Sequence, residues 1–385
     1  MDIIARYKRE VEDARRIISG GRFAAVVHNG TAHADDTIAA ALLYKAGAEA
    51  VYRLGQREEL LEVASRGSVV YADIGYRHYD ELKARGDVAI LDHHAPNGEP
   101  EYTELPSSLI QTVEALGLRL KPRVSILFVV ADLVDRFGAI AAKRWLGVYG
   151  ASLNQGLSAY FGMTTRGEYK DVKFLDLIAE AVLSDFDVND FAEYAKAFWT
   201  ASNINVDPDR YPRTLGQLRL MRQAARGDVT SVALSQDAFK VGFGIDFATH
   251  AVLAVPQLGD YIAKGLERYF GESIKAVKIV EGRQYSVVEG PIKAFAVEDS
   301  APPTAIWNAL LDLSVIKEEE PVVIAVKDIR NPGAYSLWRP DRHKDRIDFR
   351  KLQGDAVIFK HQSGFMAVVK ADSAEEAVKY VLPRL

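Results

Sequence analysis

The sequence predicts an α/β protein: an N-terminal parallel sheet with helices on both faces, followed by a smaller C-terminal α+β domain. Three observations predict it. Short apolar runs, Arg22 to Val27, Ser68 to Ala72 and Asp87 to Leu91, alternate with helix-period segments in the N-terminal part. The stretch from Ser107 to Arg226 turns helical with few strand-like runs, and strand patterns return beyond Gly227. Strands alternating with helices imply a parallel sheet covered on both faces.

The chain opens with Ile3, Ile4, Tyr7, Val11, Ala14, Ile17 and Ile18 at a 3.6-residue period, ended by Gly20-Gly21 as a helix cap would end it. The strand to Val27 follows. Next come a helix from about Asp35 to Ala46, a strand Glu49 to Leu54, a helix Arg57 to Ser65, the strand ending at Ala72, a helix Tyr79 to Arg85 and the strand ending at Leu91. Helical periodicity then marks Val124 to Phe137, Ala151 to Phe161, Phe174 to Leu183 and Val188 to Ala201. Asn203 to Arg213, with two prolines and several charges, leads into a helix to about Arg226 and is the most linker-like segment. The expected domains are therefore 1–205, a linker helix region at 206–230, and 231–385. Strands are expected in the last near Lys275 to Val280, Tyr285 to Val288, Ile292 to Val297, Val322 to Val326, Ala334 to Leu337 and Ala356 to Phe359. Helices fit Leu258 to Phe270, Ala305 to Leu313 and Ser373 to Val381. No internal repeat or low-complexity tract interrupts this order.

At 385 residues, 48% hydrophobic and 26% charged, the chain has the balance of a globular protein with room for two domains. The net charge of -5 argues against a broad electrostatic grip on duplex nucleic acid but leaves room for a local basic groove or a small anion. With no cysteine, disulfides, thiolate-bound zinc and thiol nucleophiles are excluded, and a cytoplasmic location is expected. That composition also fits a thermophile. The N-terminal segment lacks the continuous apolar core of a signal peptide, and no stretch has the length of a membrane span, about 18 apolar residues. Walker loops, Gly-x-Gly-x-x-Gly turns and Gly-x-Ser-x-Gly elbows are absent.

The chemistry is concentrated at three strand ends. His28-Asn-Gly-Thr-Ala-His33-Ala-Asp35-Asp36 follows the first apolar run, Asp73 the second, and Asp92-His93-His94 the third. One strand ending in Asp or His is common; three within so short a span read as a metal site at the carboxyl edge of a sheet. Asp35, Asp73 and Asp92 supply hard oxygen donors and His28, His33 and His93 borderline nitrogen donors. That mixture suits Mn2+, Co2+ or Zn2+ better than Mg2+. Six donors are too many for one tetrahedral ion, whereas two ions about 3.5–4 Å apart would use the set and clamp an in-line displacement at phosphorus.

These residues resemble the DHH phosphoesterase superfamily, whose name is the Asp92-His93-His94 motif. The form His-Asn-Gly-Thr-x-His-x-Asp resembles its melanocyte-proliferating-gene branch, whose characterised members are exonucleases. Val357-Ile-Phe-Lys-His361-Gln-Ser-Gly364-Phe365 is similar to that branch's closing Phe-Val-His-x-Ser-Gly-Phe segment, so the resemblance is dense at both ends and thin between about 140 and 230. It implies His28, His33, Asp35 and His93 as ligands and Asp73 as the carboxylate bridging two ions. His94 would face the scissile phosphate, and Asp92 would orient the histidines. The remaining ligand would be a helix aspartate, Asp132 or Asp135, with Asp132 preferred; the family's Asp-x-x-Asp-Asn-Gly is here broken by Arg136-Phe137. Ala34 and Asp36 stand where the branch has cysteine and glutamate, and Asp36 is expected to cap the helix that follows.

On the substrate side, His361, Ser363 and Gly364 form a candidate phosphate or 3′-end contact, with a tight turn as the competing reading. Arg339, Arg342, Lys344, Arg346 and Arg350 beside Trp338 offer phosphate pairing plus stacking, yet Asp341, Asp345 and Asp348 interleave and could absorb the charge locally. Pro302-Pro303 with Trp307 starts a helix. Together these residues predict a two-metal phosphodiesterase acting on single-stranded RNA or DNA ends or short oligonucleotides, compatible with a homodimer and without membrane contact. A two-metal hydrolase of a small phospho-substrate such as pyrophosphate or a cyclic dinucleotide is the second expectation. An inactive binding protein on the same fold, suggested by Arg136-Phe137, is the third.

Overall fold

The structure, a computed structural model, describes residues 3–94, 104–137, 145, 153–184, 204–223, 246–290, 292–361 and 364–385. It divides the chain into two compact units. The first takes in the described residues up to Ile204 and Leu220–Tyr269; the second takes in Asn205–Arg219 and Phe270–Leu385.

The first unit carries α1 (Ile3–Gly20), β1 (Phe23–His28), α2 (Ala34–Lys45), β2 (Ala48–Leu54), α3 (Arg57–Ala64), β3 (Val69–Ala72), α4 (Tyr79–Arg85) and β4 (Val88–Leu91). A helical layer follows: α5 (Ser108–Leu116), α6 (Pro122–Phe137), α7 (Asn154–Phe161) and α8 (Val172–Leu183), with the two-residue strand β5 (Gly167–Glu168) between the last two. The sheet order is β4-β3-β1-β2-β5. The four predicted strands are parallel, but β5 runs antiparallel to β2, so the sheet is mixed where a purely parallel one was expected. An edge position and a short excursion out of the helical layer allow that reversal.

Alternation along the strands divides the two faces. Val26, Tyr71, Val88 and Ile90 pack with Leu60, Leu61 and Val63 of α3 and Tyr79 and Leu82 of α4. The other face receives α2, buried continuously from Asp35 to Leu43 because it lies between the sheet and the helical layer. Its run Ala39-Ala40-Ala41 gives the small side chains that such close packing needs. The outer edge of β4 is closed by a fully buried acid: Glu10 of α1 accepts from Ile90 N at 2.9 Å and from Tyr79 Oη at 2.6 Å.

α9 (Gly216–Gln223) straddles the unit boundary, and α10 (Phe247–Ala254) and the first part of α11 (Leu258–Glu281) belong to the first unit. The second domain was expected to begin at 231, but Phe247 packs on Phe128 with ring centroids 5.7 Å apart and Tyr261 on Phe174 at 5.4 Å. Conversely, Arg213 and Thr214 donate their backbone N–H groups to Asp312, which places the end of the linker-like stretch in the second unit. The helix expected over 188–201 lies outside the described residues.

The second unit is a six-stranded sheet of order β10-β11-β9-β8-β7-β6. Its strands are β6 (Ser286–Val288), β7 (Lys293–Val297), β8 (Val322–Lys327), β9 (Ala334–Trp338), β10 (Val357–Lys360) and β11 (Met366–Lys370). β7 and β8 are parallel and joined through α12 (Pro303–Asp312), and the other pairs are antiparallel. α13 (Ala374–Val381) covers one face, burying Ala374, Ala377, Val378 and Val381 against Val323, Leu337 and Val369. Two corrections arise here. Lys275 to Val280, expected as a strand, is the last part of α11, because Ala276, Val277, Ile279 and Val280 continue the buried stripe that runs through Phe270 and Ser273. β11, not anticipated, is the strand that follows the Gly364 turn.

Candidate metal centre

Strand register builds the site. Val27 pairs with Ala72 and Ala72 with Leu91, so the next residue on each strand, His28, Asp73 and Asp92, stands level at the carboxyl edge. From β1 the chain moves to β2 on one side and then crosses back to β3 on the other, which makes the β1/β3 gap the topological switch point. Ligands of open α/β sheets bind there. His28 and Asp73 flank it, with His28 Nε2 3.3 Å from Asp73 Oδ2.

Each side chain is aimed by a local contact. His28 Nδ1 donates to Asn29 O at 2.8 Å, which aims Nε2 at Asp73 and, at 3.0 Å, Asp36 Oδ2. Asp36 Oδ1 accepts from His33 N at 2.9 Å at the start of α2, so Asp36 serves the helix start with one oxygen and faces His28 with the other. Asp35, also buried, accepts from Ser108 Oγ at 3.2 Å. Asp92 accepts from Tyr76 N at 3.3 Å and from His94 N at 2.9 Å, and its Oδ1 lies 2.7 Å from His94 Nδ1. That contact fixes the ring proton of His94 on Nδ1. His93 is buried and stacked on half-exposed His94, centroids 4.6 Å apart, with its Nδ1 3.4 Å from Asp135 Oδ2.

Among the described residues, three sets of ligand atoms lie within 4.8 Å of one another: His28, His33 and Asp73; Asp73, His93 and His94; and His33, Asp35, Asp73 and Asp135. Asp73 belongs to all three. It holds that place in a left-handed backbone conformation, φ 59°, which few residues other than glycine, asparagine and aspartate adopt. Of the two aspartates on α6 the structure brings Asp135 to the cluster and not Asp132, the one preferred from sequence. Asp132 Oδ1 accepts from Ser107 N at 2.7 Å, while its Oδ2 accepts from Arg136 Nε at 3.1 Å and Nη2 at 2.5 Å. Both of its oxygens are engaged.

The electrostatics call for cations. Burial, followed by the charges of Asp35, Asp135, Asp92 and Asp36, holds the Asp73 carboxyl well above the usual carboxylate range. Asp35 is pushed up to about 7, first by burial and then by Asp36. Burial works the same way on Asp36 and Asp92, but nearby imidazoles outweigh it, His28 for the first and His94 for the second, and both are lowered. His93 is lowered to about 3 by burial and then by His94. Among the described residues, buried His28 Nε2, Asp36 Oδ2, Asp73 Oδ1 and His93 Nδ1 have no hydrogen-bond partner. Unsatisfied donor atoms of both ligand types, aimed at one volume crowded with carboxylates, fit divalent metal.

Arg53 supports the first loop and carried no signal in the sequence, where a single arginine in a strand reads as solvent-facing. It is fully buried, donating to Gly30 O at 3.0 Å, Thr164 O at 2.6 Å and Phe161 O at 3.4 Å, with its guanidinium 4.9 Å from the Phe161 ring centroid. The glycine of the first loop is thereby tied to the turn after α7. Ser107 and Ser108, at the start of α5, likewise escaped notice; they hold Asp132 and Asp35.

The predicted substrate contacts lie in the second unit. His361 N donates to Met366 O at 2.9 Å and its ring meets Phe365 at 4.2 Å; Ser363 lies outside the described residues. Gly364, at φ 68°, passes so close to Asp348 that a Cβ there would sit 2.2 Å from Oδ1. Arg339 is buried, donating to Ile347 O at 2.7 Å and Pro340 O at 3.2 Å. Arg342 pairs with Glu318 and Arg350 with Asp348, each at 2.8 Å, and Trp338 meets Trp307 at 6.1 Å.

The residues that carry the DHH resemblance, His28, His33, Asp35, Asp73 and Asp92-His93-His94, are thus drawn to one edge of one sheet. Among the described residues no helix is long and apolar enough to cross a membrane. No protein-family model and no curated protein matches the chain. Among solved structures it is similar to a DHH-domain protein described as a member of a family of ribosomal proteins, at 14% identity over 99% of this chain and 90% of that one, with a TM-score of 0.44. It is also similar to RecJ from Thermus thermophilus, determined in complex with Mn2+, at 17% identity over 96% of this chain and 53% of RecJ, with a TM-score of 0.40.

Proposed function

We propose that the protein is a divalent-metal-dependent phosphodiesterase that hydrolyses single-stranded nucleic acid ends or short oligonucleotides. The observation that carries this reading is that Asp73 is common to all three ligand groups, the arrangement expected of a carboxylate shared between two ions. His28, His33, Asp35 and Asp135 would hold one ion with Asp73, and His93 the other. Mn2+ is favoured by the mixed imidazole and carboxylate donors. Bound there, the ions would supply Lewis-acid stabilisation of phosphoryl oxygens and an activated water.

The protein's own groups then divide the remaining work. Asp92 holds the His94 proton on Nδ1 and leaves the other edge of the half-exposed ring for an incoming phosphate in this reading. With a second proton on Nε2, which the Asp92 carboxylate favours by facing Nδ1, His94 would steady the ester oxygens and give that Nε2 proton to the leaving group. His361 and Gly364, with Ser363, remain the proposed contact for a terminal phosphate.

One observation favours the second reading, a small phospho-substrate. Arg339, Arg342 and Arg350, the candidates for gripping a strand, are engaged by backbone carbonyls, Glu318 and Asp348. Incubating the protein with Mn2+ and single strands labelled at the 5′ or the 3′ end, beside pyrophosphate and cyclic dinucleotides, separates the two. Activity on strands that survives Asp73→Ala and His93→Ala would defeat the mechanism.

A further inference from the structure

We infer that Asp36 is a ligand of the ion at the His28 end of the cluster, a role that neither the motif resemblance nor helix capping gives it. The inference rests on the proposed metal-dependent reading and adds a carboxylate to it. Asp36 is fully buried, and its two oxygens are used unequally. Oδ1 accepts from His33 N at 2.9 Å, which is all that the start of α2 asks of it. Oδ2 is buried and, among the described residues, accepts from no donor. A buried carboxylate oxygen without a donor costs free energy that capping does not require, so a second role has to account for it.

The neighbour of that oxygen is His28 Nε2. This nitrogen stands 3.0 Å from Asp36 Oδ2 and 3.3 Å from Asp73 Oδ2, and it too has no hydrogen-bond partner among the described residues. Imidazole and carboxylate are therefore in contact without being hydrogen-bonded to each other. Donor atoms bound at right angles to one ion, each about 2.1 Å from it, stand about 3.0 Å apart, which is the separation found here. His28 Nδ1 is held on Asn29 O at 2.8 Å, so the ring keeps Nε2 on this side. Asp36 belongs to none of the three groups whose members all lie within 4.8 Å of one another, and it joins them through His28. Charge gives it a reason to do so. In the group His28, His33 and Asp73 the one carboxylate is Asp73, which all three groups share. Asp36 supplies the His28 end with an anion of its own to balance a divalent ion.

The test uses the full chain. Asp36→Glu and Asp36→Gln are equal in length, and glutamate and glutamine both cap from the third position of a helix, so the two variants share any cost of capping or overpacking and differ in the carboxylate. Mn2+ titrations followed by electron paramagnetic resonance are expected to show Asp36→Gln at least about 100-fold weaker than wild type for one ion, with Asp36→Glu within about tenfold. Diffraction at the manganese edge from Mn2+-loaded wild-type crystals is expected to place Asp36 Oδ2 and His28 Nε2 on the same ion; this arm needs no variant, so a chain that tolerates neither substitution is still tested. Equal Mn2+ affinities in Asp36→Gln and Asp36→Glu, or an ion on His28 with Asp36 Oδ2 more than about 3 Å from it, overturn the inference and leave the metal reading in place. Failure of the wild-type protein to take up Mn2+ overturns the metal reading and this inference with it.

Discussion

Asp135 Oδ2 lies 3.4 Å from His93 Nδ1, whereas Asp132, one turn earlier on the same helix face, is spent on Ser107 and Arg136. The two variants should therefore separate metal binding from stability. Asp135→Asn is expected to cost at least about 100-fold in Mn2+ affinity, more than outer-shell substitutions usually cost. Asp132→Asn keeps an acceptor for Ser107 N but loses the ion pair, so it should leave the number of bound ions unchanged and cost about 1–3 kcal/mol of stability. Calorimetric Mn2+ titration and urea denaturation of both proteins would read this, and a lower ion count in Asp132→Asn would contradict it.

Metal affinity should rise with pH over the range in which Asp35 and Asp73 would otherwise keep their protons. Asp35, raised to about 7 by burial and Asp36, keeps its proton below that pH, and Asp73 is raised as well, so an incoming ion must expel protons. His93, lowered to about 3, is neutral throughout this range and does not compete. Each displaced proton makes affinity fall about tenfold per pH unit below the carboxyl pKa. Mn2+ titrations in two buffers of different ionisation enthalpy, at about pH 5.5 and pH 8, would count the protons released. Equal affinities at the two pH values would rule the carboxyl account out.

Gly55 explains how the first loop is kept in place. A Cβ at this position would lie 2.2 Å from Asn29 Oδ1, 2.7 Å from its Cγ and 2.9 Å from Nδ2, so the whole amide would have to move. Asn29 is buried, its N donates to Leu54 O at 2.8 Å, and its carbonyl oxygen accepts from His28 Nδ1. Gly55→Ala is expected to cost about 1–3 kcal/mol in urea denaturation, as overpacked sites do. It should also weaken Mn2+ binding, because displacing Asn29 turns the His28 ring. A destabilised variant with wild-type Mn2+ affinity would show that the loop and the ring are not coupled.

The strand ends were legible because local pattern suffices for them: β1, β3 and β4 are apolar up to the residue before His28, Asp73 and Asp92, and parallel register brings those three level. The choice between Asp132 and Asp135 was not legible. Both lie on the buried face of α6, and what separates them is Ser107, a contact made 25 residues earlier in the chain. Arg53 was hidden for a similar reason, since its burial depends on carbonyls at Gly30, Phe161 and Thr164 that converge only in the fold. The strand expected over Lys275 to Val280 failed because a short apolar run looks alike in a buried helix and a buried strand; the helix running on from Leu258 decided it.

Asp73 should trade stability for metal in a way that two substitutions can expose. Its carboxyl is buried among Asp35, Asp135, Asp92 and Asp36 and is raised well above its value in the unfolded chain. A carboxyl raised by folding leaves stability intact below the unfolded pKa and erodes it as pH climbs toward the folded one, because folding must then take up a proton. Metal-free Asp73→Asn removes that cost and should melt above the metal-free wild type at neutral pH, by a margin that widens as pH increases. Asparagine also tolerates the left-handed backbone at φ 59°, whereas alanine pays about 1 kcal/mol there, so Asp73→Ala should be the less stable of the two variants. Saturating Mn2+ reverses the order, since an ion that binds only the folded wild type adds about 2.7 kcal/mol at a hundredfold excess over its Kd. Neither variant should gain from it. Thermal melts of the three proteins with and without Mn2+ check each step; an Mn2+ shift of equal size in wild type and Asp73→Asn would remove Asp73 from the centre of the site.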